Sequence, residues 1–471
     1  MYKPTIGLEI HTELKTKTKM FCGCLNNSDE KQPNVNICPI CLAHPGTLPV
    51  ANKKAVEAVF KLGMALNGEI PQMSKFDRKN YFYPDLPKGY QISQYDKPLV
   101  LGGVLNGVKI TRVHLEEDTA RLLHADGDSL VDFNRAGLPL MELVTEPDIK
   151  TGEEAVAFAK ELRLILRYLG ISDADMEKGQ MRVEANVSIS KDNELGTKVE
   201  VKNLNSFKAV KDAIDYEIKR QEEILKKGEK IIHETRGWDE NKKITVSQRK
   251  KEEAHDYRYF PEPDLPIMDI LKFDLNGLKA EITELPAQKR ERFIKEYGLR
   301  PEQPEIFIED RDLANYFEAS ISELNADLRE QEATNMLYNY LTSDIRGLTN
   351  ELKIGIKELN ISPENFADLV VLAIKGEISS RIAKDLIVEM HKSGADSRQI
   401  VEEKGWNQIS DEAEIEKIIQ EVINENPAAV EDYKKGKQNI IQFLIGKAMA
   451  KLKGRGNPEK LKKMLETRLI S

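Results

Sequence analysis

The chain has 471 residues, of which 40% are hydrophobic and 32% charged, and its formal net charge is −9. A chain of this length is too long for one compact core, so two to four domains are expected. The composition is that of an ordinary soluble protein. The acidic balance excludes a basic coat for nucleic acid over the whole surface, and no apolar run reaches the roughly 18 residues that cross a membrane. Because the N-terminal residues lack the apolar segment of a secretion signal, we expect a cytoplasmic location.

The first predicted element is a strand over residues 4–14, where apolar and polar side chains alternate. Glu9, His11 and Glu13 share one face, and the apolar residues between them share the other, as in a half-buried strand. For one such strand alone, a solvated polar face is the alternative interpretation.

All four cysteines follow within twenty residues, as Cys22, Cys24, Cys38 and Cys41. Disulfides are rare in a reducing cytoplasm, so clustered cysteines are interpreted first as metal ligands. Two close pairs predict a structural Zn²⁺ site, and four thiolates leave no open position for catalysis. Reduced cysteines without a metal are the alternative.

Polar and aromatic residues are mixed in four later stretches: 75–85, 88–94, 198–205 and 256–264. Lys and Arg beside Tyr suit phosphate pairing together with base or ribose stacking. A well-packed surface loop is the alternative. The sequence contains neither a P-loop motif nor the Gly-rich fingerprint of dinucleotide-binding folds.

Three further predicted strands carry polar residues that could converge on one sheet: 111–118 with Glu117, 136–144 with Glu142, and 181–189 with Glu184 and Asn186. Glu117 lies an even number of residues after Val113 and Leu115, so it is predicted to share their apolar face of the strand. Glu142 interrupts an apolar run. A buried, unpaired carboxylate costs several kcal/mol, so each should meet a metal, a cation or a proton. Carboxylates with one imidazole suit Mg²⁺.

Helices are predicted over residues 151–169 and 206–227, each followed by Gly, and the strand pattern gives way to helices after about residue 290. Ser362 is a predicted N-cap, and another helix is expected over 380–392.

The C-terminal segment is basic. Residues 431–471 contain 11 Lys and Arg against 4 Asp and Glu, a net charge of +7 on an otherwise acidic chain. Such a local concentration is typical of contact with nucleic-acid phosphates. A solvated helical surface is the alternative.

Several long motifs together resemble the family of B subunits of the aspartyl/glutamyl-tRNA amidotransferases. The resemblance is carried by residues 6–14, 75–84, 89–94, 114–118, 134–142, 146–148, 202–207 and 256–264. These motifs follow one another from the first strand toward the C-terminal helices, so the resemblance covers essentially the whole chain.

The resemblance implies an α+β fold. We expect a cradle-like catalytic domain over residues 1–292, with a largely antiparallel sheet, flanking helices and the zinc site. An all-α linker domain would follow over 293–405, and a basic helical tail domain that binds tRNA over 406–471.

The resemblance also implies a reaction, the ATP-dependent transamidation of Glu mischarged on tRNA(Gln) or of Asp on tRNA(Asn). The side-chain carboxylate would be phosphorylated, and ammonia would then displace phosphate. The substrate carboxylate itself attacks the γ-phosphorus, so no protein nucleophile is needed, only metal and positioning. With every cysteine assigned to zinc and no amidase-type Gly/Ser stretch, ammonia is expected from a partner. The family implies an amidase-type A subunit and a small C subunit, which form a heterotrimer with this chain. Association with a membrane is not expected.

Residue roles follow from the matching motifs. The resemblance implies Mg²⁺ ligands at Glu9, His11, Glu117 and Glu142, with Lys79 also taking part in the reaction. Further expected ATP contacts are Lys79, Tyr81, Lys88, Glu184, Asn186, Lys202 and Asn203. Expected tRNA contacts are Lys435, Lys437, Lys447, Lys451, Lys453 and Arg455.

Two other functions compete with this one. A zinc-containing RNA adaptor without catalysis would use the cysteines and the basic tail, and would need neither Mg²⁺ nor ATP. A phosphotransferase acting on a small carboxylic acid would leave the basic tail unexplained.

Overall fold

The computed structural model describes residues 2–125, 127–192, 194–250, 257–324, 331–409 and 411–470. The chain divides into two compact units, Met1–Gln288 and Lys289–Ser471. Asp256, the first residue of the predicted polar–aromatic stretch 256–264, lies outside the described residues.

The first unit is built mainly from strands. They are β1 (Lys3–Glu13), β2 (Met73–Ser74), β3 (Asp77–Asn80), β4 (Tyr90–Ser93), β5 (Val100–Leu101), β6 (Val104–Leu105), β7 (Val108–Glu117), β8 (Arg121–Ala125), β9 (Asp128–Asp132), β10 (Pro139–Thr145), β11 (Met181–Ser190), β12 (Val199–Leu204), β13 (Glu234–Asp239), β14 (Ile244–Lys250), β15 (Phe260–Pro261) and β16 (Met268–Asp269). Its helices are α1 (Lys53–Ala65), α2 (Gly152–Tyr168), α3 (Phe207–Lys226) and α4 (Leu275–Ala280).

The main sheet has the strand order β14-β13-β12-β11-β1-β10-β7-β5, with β6 also paired to β7. Neighbouring strands are antiparallel except for β12 and β13, which are parallel. Smaller sheets join β15, β3 and β4, join β16 to β2, and join β8 to β9. The predicted antiparallel, α+β character is confirmed.

The alternation along β1 gives this sheet one apolar and one polar face. Ile6, Leu8 and Ile10 are fully buried and belong to a core that also contains residues of α1, α2 and α3. Because successive side chains point to opposite faces, the polar residues between them must lie on the other side. The helices therefore cover one face, and the second face carries the polar side chains.

The two predicted helices of this unit are confirmed as α2 and α3. Their N-caps are Thr151 and Ser206, whose hydroxyl groups accept hydrogen bonds from the backbone N–H groups of Glu154 and Ala209. Such caps satisfy N–H groups that have no partner inside the helix.

The described elements of the second unit are helical. They are α5 (Pro286–Tyr297, which begins just before the unit), α6 (Glu305–Glu309), α7 (Arg311–Glu323), α8 (Gln331–Tyr340), a π-helical turn (Leu341–Ile345), α9 (Arg346–Leu352), α10 (Pro363–Ile374), α11 (Ser380–Ser393), α12 (Ser397–Lys404), α13 (Glu412–Glu425), α14 (Pro427–Lys434), α15 (Ile440–Lys451) and α16 (Pro458–Ile470). Ser362 caps α10, as predicted, and α11 covers the predicted helix over 380–392.

Two hydrophobic clusters lie within the second unit. One extends from Phe293 to Val401, and the other from Ile415 to Leu469. The expected boundary between residues 405 and 406 falls between them, although the division into three domains stays a prediction. No helix in the described parts of the chain combines the length and the apolar composition needed to span a membrane.

Candidate active site

A cavity of about 580 Å³ opens on the polar face of the main sheet. Side chains from β1, β7, β10, β11 and β12 form its floor, and residues of β3, β4 and the segment before β15 complete its wall. Among the residues predicted from sequence, Glu9, His11, Glu142 and Glu184 lie together in this pocket.

Strand register brings three potential metal ligands together here. His11 lies directly opposite Glu142 on β10, and Glu142 lies opposite His114 on β7. His11 Nε2 is 3.3 Å from Glu116 Oε1 and 3.3 Å from Glu142 Oε2. Ligand atoms of His11, Glu116 and Glu142, hereafter the triad, all lie within 4.8 Å of one another.

Charge coupling within the triad is strong because its groups are buried. Burial by itself would lower the pKa of His11, but Glu142 and Glu116 raise that pKa well above its usual value. Burial would raise the pKa of Glu142, yet His114 and His11 hold it well below the usual range. The pKa of Glu116 is likewise lowered by His11 against the effect of burial. These shifts describe a protonated His11 between two ionised carboxylates, and His11 would have to lose its proton to bind a metal.

His114 supports the triad from the neighbouring strand. Its Nε2 lies 3.4 Å from Glu142 Oε2, and the residue is 2% exposed. Its Nδ1 is buried and has no hydrogen-bond partner among the described residues. His114 and His11 therefore both approach the same oxygen of Glu142.

Beside the triad lies an acid cluster formed by Glu9, Glu184 and Glu200, whose ligand atoms also fall within 4.8 Å of one another. Asn186 Nδ2 donates to Glu9 Oε1 at 2.7 Å, and Lys202 Nζ donates to Glu184 Oε2 at 2.8 Å. The structure thus places the predicted residues Glu9, Glu184, Asn186 and Lys202 together at one end of the polar face.

The structure corrects two assignments made from sequence, those of Glu117 and Lys88. Glu117 points to the opposite face of the sheet, where its carboxylate accepts hydrogen bonds from Lys88 Nζ at 2.8 Å and Ile92 N–H at 2.9 Å. Alternation along β7 puts adjacent residues on opposite faces, so Glu116 takes the place predicted for Glu117. Lys88 and Glu117 both line a second cavity of about 290 Å³.

Asn203 is a third correction. It is exposed and follows Lys202 on β12, so its side chain does not line the pocket that Lys202 enters. Glu116, His114 and Arg112 also line the pocket from β7, and they were not among the site residues predicted from sequence. All three alternate with the apolar residues of β7 and therefore share its polar face. This alternation in the sequence could have identified them.

The polar–aromatic stretches form the wall above the triad. Phe260 of β15 pairs with Arg78 of β3, which joins the stretches 75–85 and 256–264. Burial would lower the pKa of Lys79, but Glu116, Tyr259 and Glu142 raise it. Lys79 and Tyr81, both predicted from sequence, line the pocket. Burial also raises the pKa of Tyr81. Lys79 therefore stays positively charged beside the triad.

The four cysteines meet at one point, as the spacing predicts. Their sulfur atoms all lie within 4.8 Å of one another, and those of Cys38 and Cys41 are 3.9 Å apart. Tetrahedral Zn²⁺ with Zn–S bonds of about 2.3 Å would hold sulfurs about 3.8 Å apart. Burial raises the pKa of Cys24 to about 11, whereas a hydrogen bond with Cys22 lowers that of Cys41 to about 5.

A buried lysine lies beside this cysteine site. Lys19 is 0% exposed, and its Nζ donates to the Phe133 carbonyl oxygen at 3.1 Å. Its charge contributes to the lowered pKa of Cys41. Four thiolates around Zn²⁺ carry a net charge of about −2, which a buried cation would partly offset.

The basic residues of the tail fall into two groups. Several are held by local partners: Lys435 by Glu431, Lys437 by Asp432, Lys451 by Glu421 and Glu425, and Arg455 by the Gly405 carbonyl oxygen. By contrast, Lys447 and Lys453 form no ion pair with any residue that the structure describes. Lys447 Nζ instead lies 5.4 Å from the ring centroid of Phe443, which is 47% exposed.

Two family models match this chain. A model of the GatB/GatE catalytic domain matches residues 4–275, and a model of the GatB domain matches residues 315–469. The first match thus defines the class of the β-rich unit.

Curated relatives define the family more narrowly. The B subunit of the aspartyl/glutamyl-tRNA(Asn/Gln) amidotransferase of Persephonella marina is 46% identical, over 99% of this chain and 99% of that protein. The protein of the same name from Carboxydothermus hydrogenoformans is 46% identical, again over 99% of both chains. That from Rippkaea orientalis is 45% identical, over 99% of this chain and 98% of that protein.

This chain belongs to the family of B subunits of aspartyl/glutamyl-tRNA(Asn/Gln) amidotransferases, so the resemblance stated from sequence and the predicted amidotransferase class are confirmed. The name of these relatives describes one subunit of a larger enzyme.

Proposed function

We propose that this chain is the kinase and transamidase subunit of an enzyme that converts Glu-tRNA(Gln) or Asp-tRNA(Asn) into the correctly amidated product. The observation that carries the proposal is the triad. Two ionised carboxylates and one imidazole converge on a pocket that also contains the cation Lys79. Family membership supplies the substrate class, since the relatives are named for it.

The donor set of the triad fits Mg²⁺. Carboxylate oxygens with one imidazole nitrogen are acceptable ligands, and a site with few protein ligands leaves room for nucleotide phosphates. His11, Glu116 and Glu142 would hold the ion, and the acid cluster offers Glu9 as a neighbouring carboxylate. When bound, Mg²⁺ would neutralise charge on the phosphates of ATP.

The proposed chemistry has two steps. An oxygen of the Glu or Asp side chain attacks the γ-phosphorus of ATP, the bond to the β-phosphate oxygen breaks, and ADP leaves. Ammonia then attacks the acyl carbon, phosphate leaves with the electron pair of the broken C–O bond, and the nitrogen loses a proton. Lys79 would pair with phosphoryl oxygens during the first step, because it remains charged in the pocket.

Ammonia would come from a partner subunit. We propose an amidase-type A subunit as its source and a small C subunit as the third member of a heterotrimer. Support from this chain is chemical: a cysteine glutaminase needs a free thiolate, whereas the four cysteines of this sequence converge on one site.

Zn²⁺ is proposed as a structural ion in the cysteine site. The short separations between sulfur atoms and the buried charge of Lys19 support this assignment. Four sulfur ligands complete a tetrahedral shell, so no position would remain for substrate.

The helices after residue 405 are proposed to bind tRNA. Their excess of Lys and Arg supports contact with phosphates, and Lys447 and Lys453 are the candidates whose charges no described ion pair compensates. Lys435, Lys437, Lys451 and Arg455 stay candidates whose local partners would have to be displaced or shared.

The proposal is tested by combining this chain with A and C subunits and both mischarged tRNAs. Amide formation that requires ATP and Mg²⁺ is expected with at least one tRNA, and the chain alone should not use glutamine. An RNA adaptor without catalysis would instead leave amide formation unchanged when Glu142→Gln replaces the natural chain.

A further inference from the structure

Arg112 is a cation of the pocket floor whose role the proposed reaction leaves unexplained. It lies on β7, two residues before His114 and on the same face, and it lines the pocket. On the neighbouring strand β10 its opposite residue is Val144, which in turn lies opposite Glu9 on β1. Arg112 therefore occupies the same cross-strand row as Glu9, next to the row that contains the triad residues Glu142 and His11.

Arg112 is half-buried, and its Nε is a buried N–H group without a hydrogen bond. No ion pair joins Arg112 to any carboxylate that the structure describes. Two other cations of this floor differ. Arg182 pairs with Asp118 at 3.1 Å, and Lys202 pairs with Glu184 at 2.8 Å.

A buried N–H group without an acceptor is costly, because it loses its hydration without compensation. The nearby carboxylates do not relieve it, because Glu142 is held by two histidines and Glu9 accepts from Asn186. An incoming oxyanion would provide the missing acceptor, and the planar fork of Arg suits bidentate binding of phosphate or carboxylate.

We infer that Arg112 binds an oxyanion of the reactants, either a phosphate of ATP or the side-chain carboxylate of the aminoacyl group. This inference rests on the proposed function, because it assigns one reactant to a side chain in the same pocket. Both sources share the chemistry that Arg112 recognises, and they differ in the substrate whose binding a substitution would weaken.

The test uses the complete enzyme with its partner subunits and compares Arg112→Gln with Arg112→Lys. KM is measured separately for ATP and for mischarged tRNA, and kcat is recorded. Loss of one charged hydrogen-bonding group predicts a rise of about tenfold to a hundredfold in one KM for Arg112→Gln. Arg112→Lys keeps the charge but loses the fork, so a smaller rise is expected. Arg121→Gln, an exposed change on β8 outside the pocket, is the matched control.

The outcomes separate the two sources. A higher KM for ATP alone assigns Arg112 to a phosphate, and a higher KM for mischarged tRNA alone assigns it to the carboxylate. A rise in both KM values indicates that Arg112 contacts the phosphoryl group that passes from ATP to the side-chain carboxylate. If neither KM changes while the thermal unfolding temperature equals that of the natural enzyme, the inference is overturned, whatever happens to kcat. A natural enzyme that forms no amide with ATP would instead refute the proposed function itself.

Discussion

The two candidate metal sites of the first unit differ in how the chain builds them and in what they leave open. The cysteine site gathers four candidate ligands from the short segment between Cys22 and Cys41, which is enough to complete a tetrahedral shell around one ion. The triad takes one ligand from each of β1, β7 and β10 and faces a cavity of about 580 Å³. The first arrangement suits a structural ion, and the second leaves room for substrate.

The largest expected effect comes from the open site. Glu142→Gln keeps the shape of the side chain but removes a charge that two histidines surround. We expect amide formation by the complete enzyme to fall at least about a hundredfold, because removal of even a supporting group commonly costs about 10–100-fold. Steady-state rates with saturating ATP measure the effect. A rate close to that of the natural enzyme would contradict the role of this carboxylate.

The closed site should respond in stability instead. Cys38→Ser removes one thiolate, and we expect the free energy of unfolding to fall by at least about 2 kcal/mol together with loss of bound zinc. Metal analysis and denaturant unfolding provide the measurements, and Cys24→Ser should behave alike. Full zinc occupancy with unchanged stability in both variants would show that the cysteines do not act as a metal site.

A smaller effect is predicted for His114, which touches Glu142 but does not belong to the triad. His114→Asn should weaken the apparent affinity for Mg²⁺ by about 10–100-fold, since partners that orient a ligand contribute that much. His124→Asn on the exposed strand β8 is the matched control. Equal Mg²⁺ affinities for the two variants would argue that His114 only fills space.

The smallest effects are expected in the tail. Lys447→Ala or Lys453→Ala should each weaken tRNA binding about fivefold at physiological salt, as the loss of one phosphate contact predicts. Lys435→Ala serves as the comparison, because that lysine already pairs with Glu431 at 2.7 Å. Equilibrium binding over a series of salt concentrations distinguishes them. A larger loss of tRNA affinity for Lys435→Ala would contradict the assignment of Lys447 and Lys453 as the uncompensated charges.

How far the sequence predicts these sites depends on how local they are. The cysteine site needs only a turn that closes a short segment, so spacing alone indicates it. The triad depends on which strands are neighbours and on their register, and part of it arises from the pairing of β1 with the distant strand β10. Sequence motifs found His11 and Glu142 but chose Glu117 over Glu116, because burial of a carboxylate was given more weight than its parity on the strand.

The same distinction between local and distant signals applies to the helices of the first unit and to Arg112. The helices α2 and α3 could be predicted because apolar periodicity and N-caps are local signals. The lack of a partner for Arg112 Nε could not be predicted, since it depends on where every neighbouring carboxylate finds its partner.

The most decisive measurement compares Glu116→Gln with Glu117→Gln for binding of Mn²⁺ as a probe of the Mg²⁺ site, in the complete enzyme with ATP present. The two residues are adjacent, are both nearly buried and receive the same chemical change. We expect Glu116→Gln to weaken Mn²⁺ binding at least about tenfold, while Glu117→Gln leaves it within about twofold. Weaker binding in Glu117→Gln with normal binding in Glu116→Gln would contradict the triad.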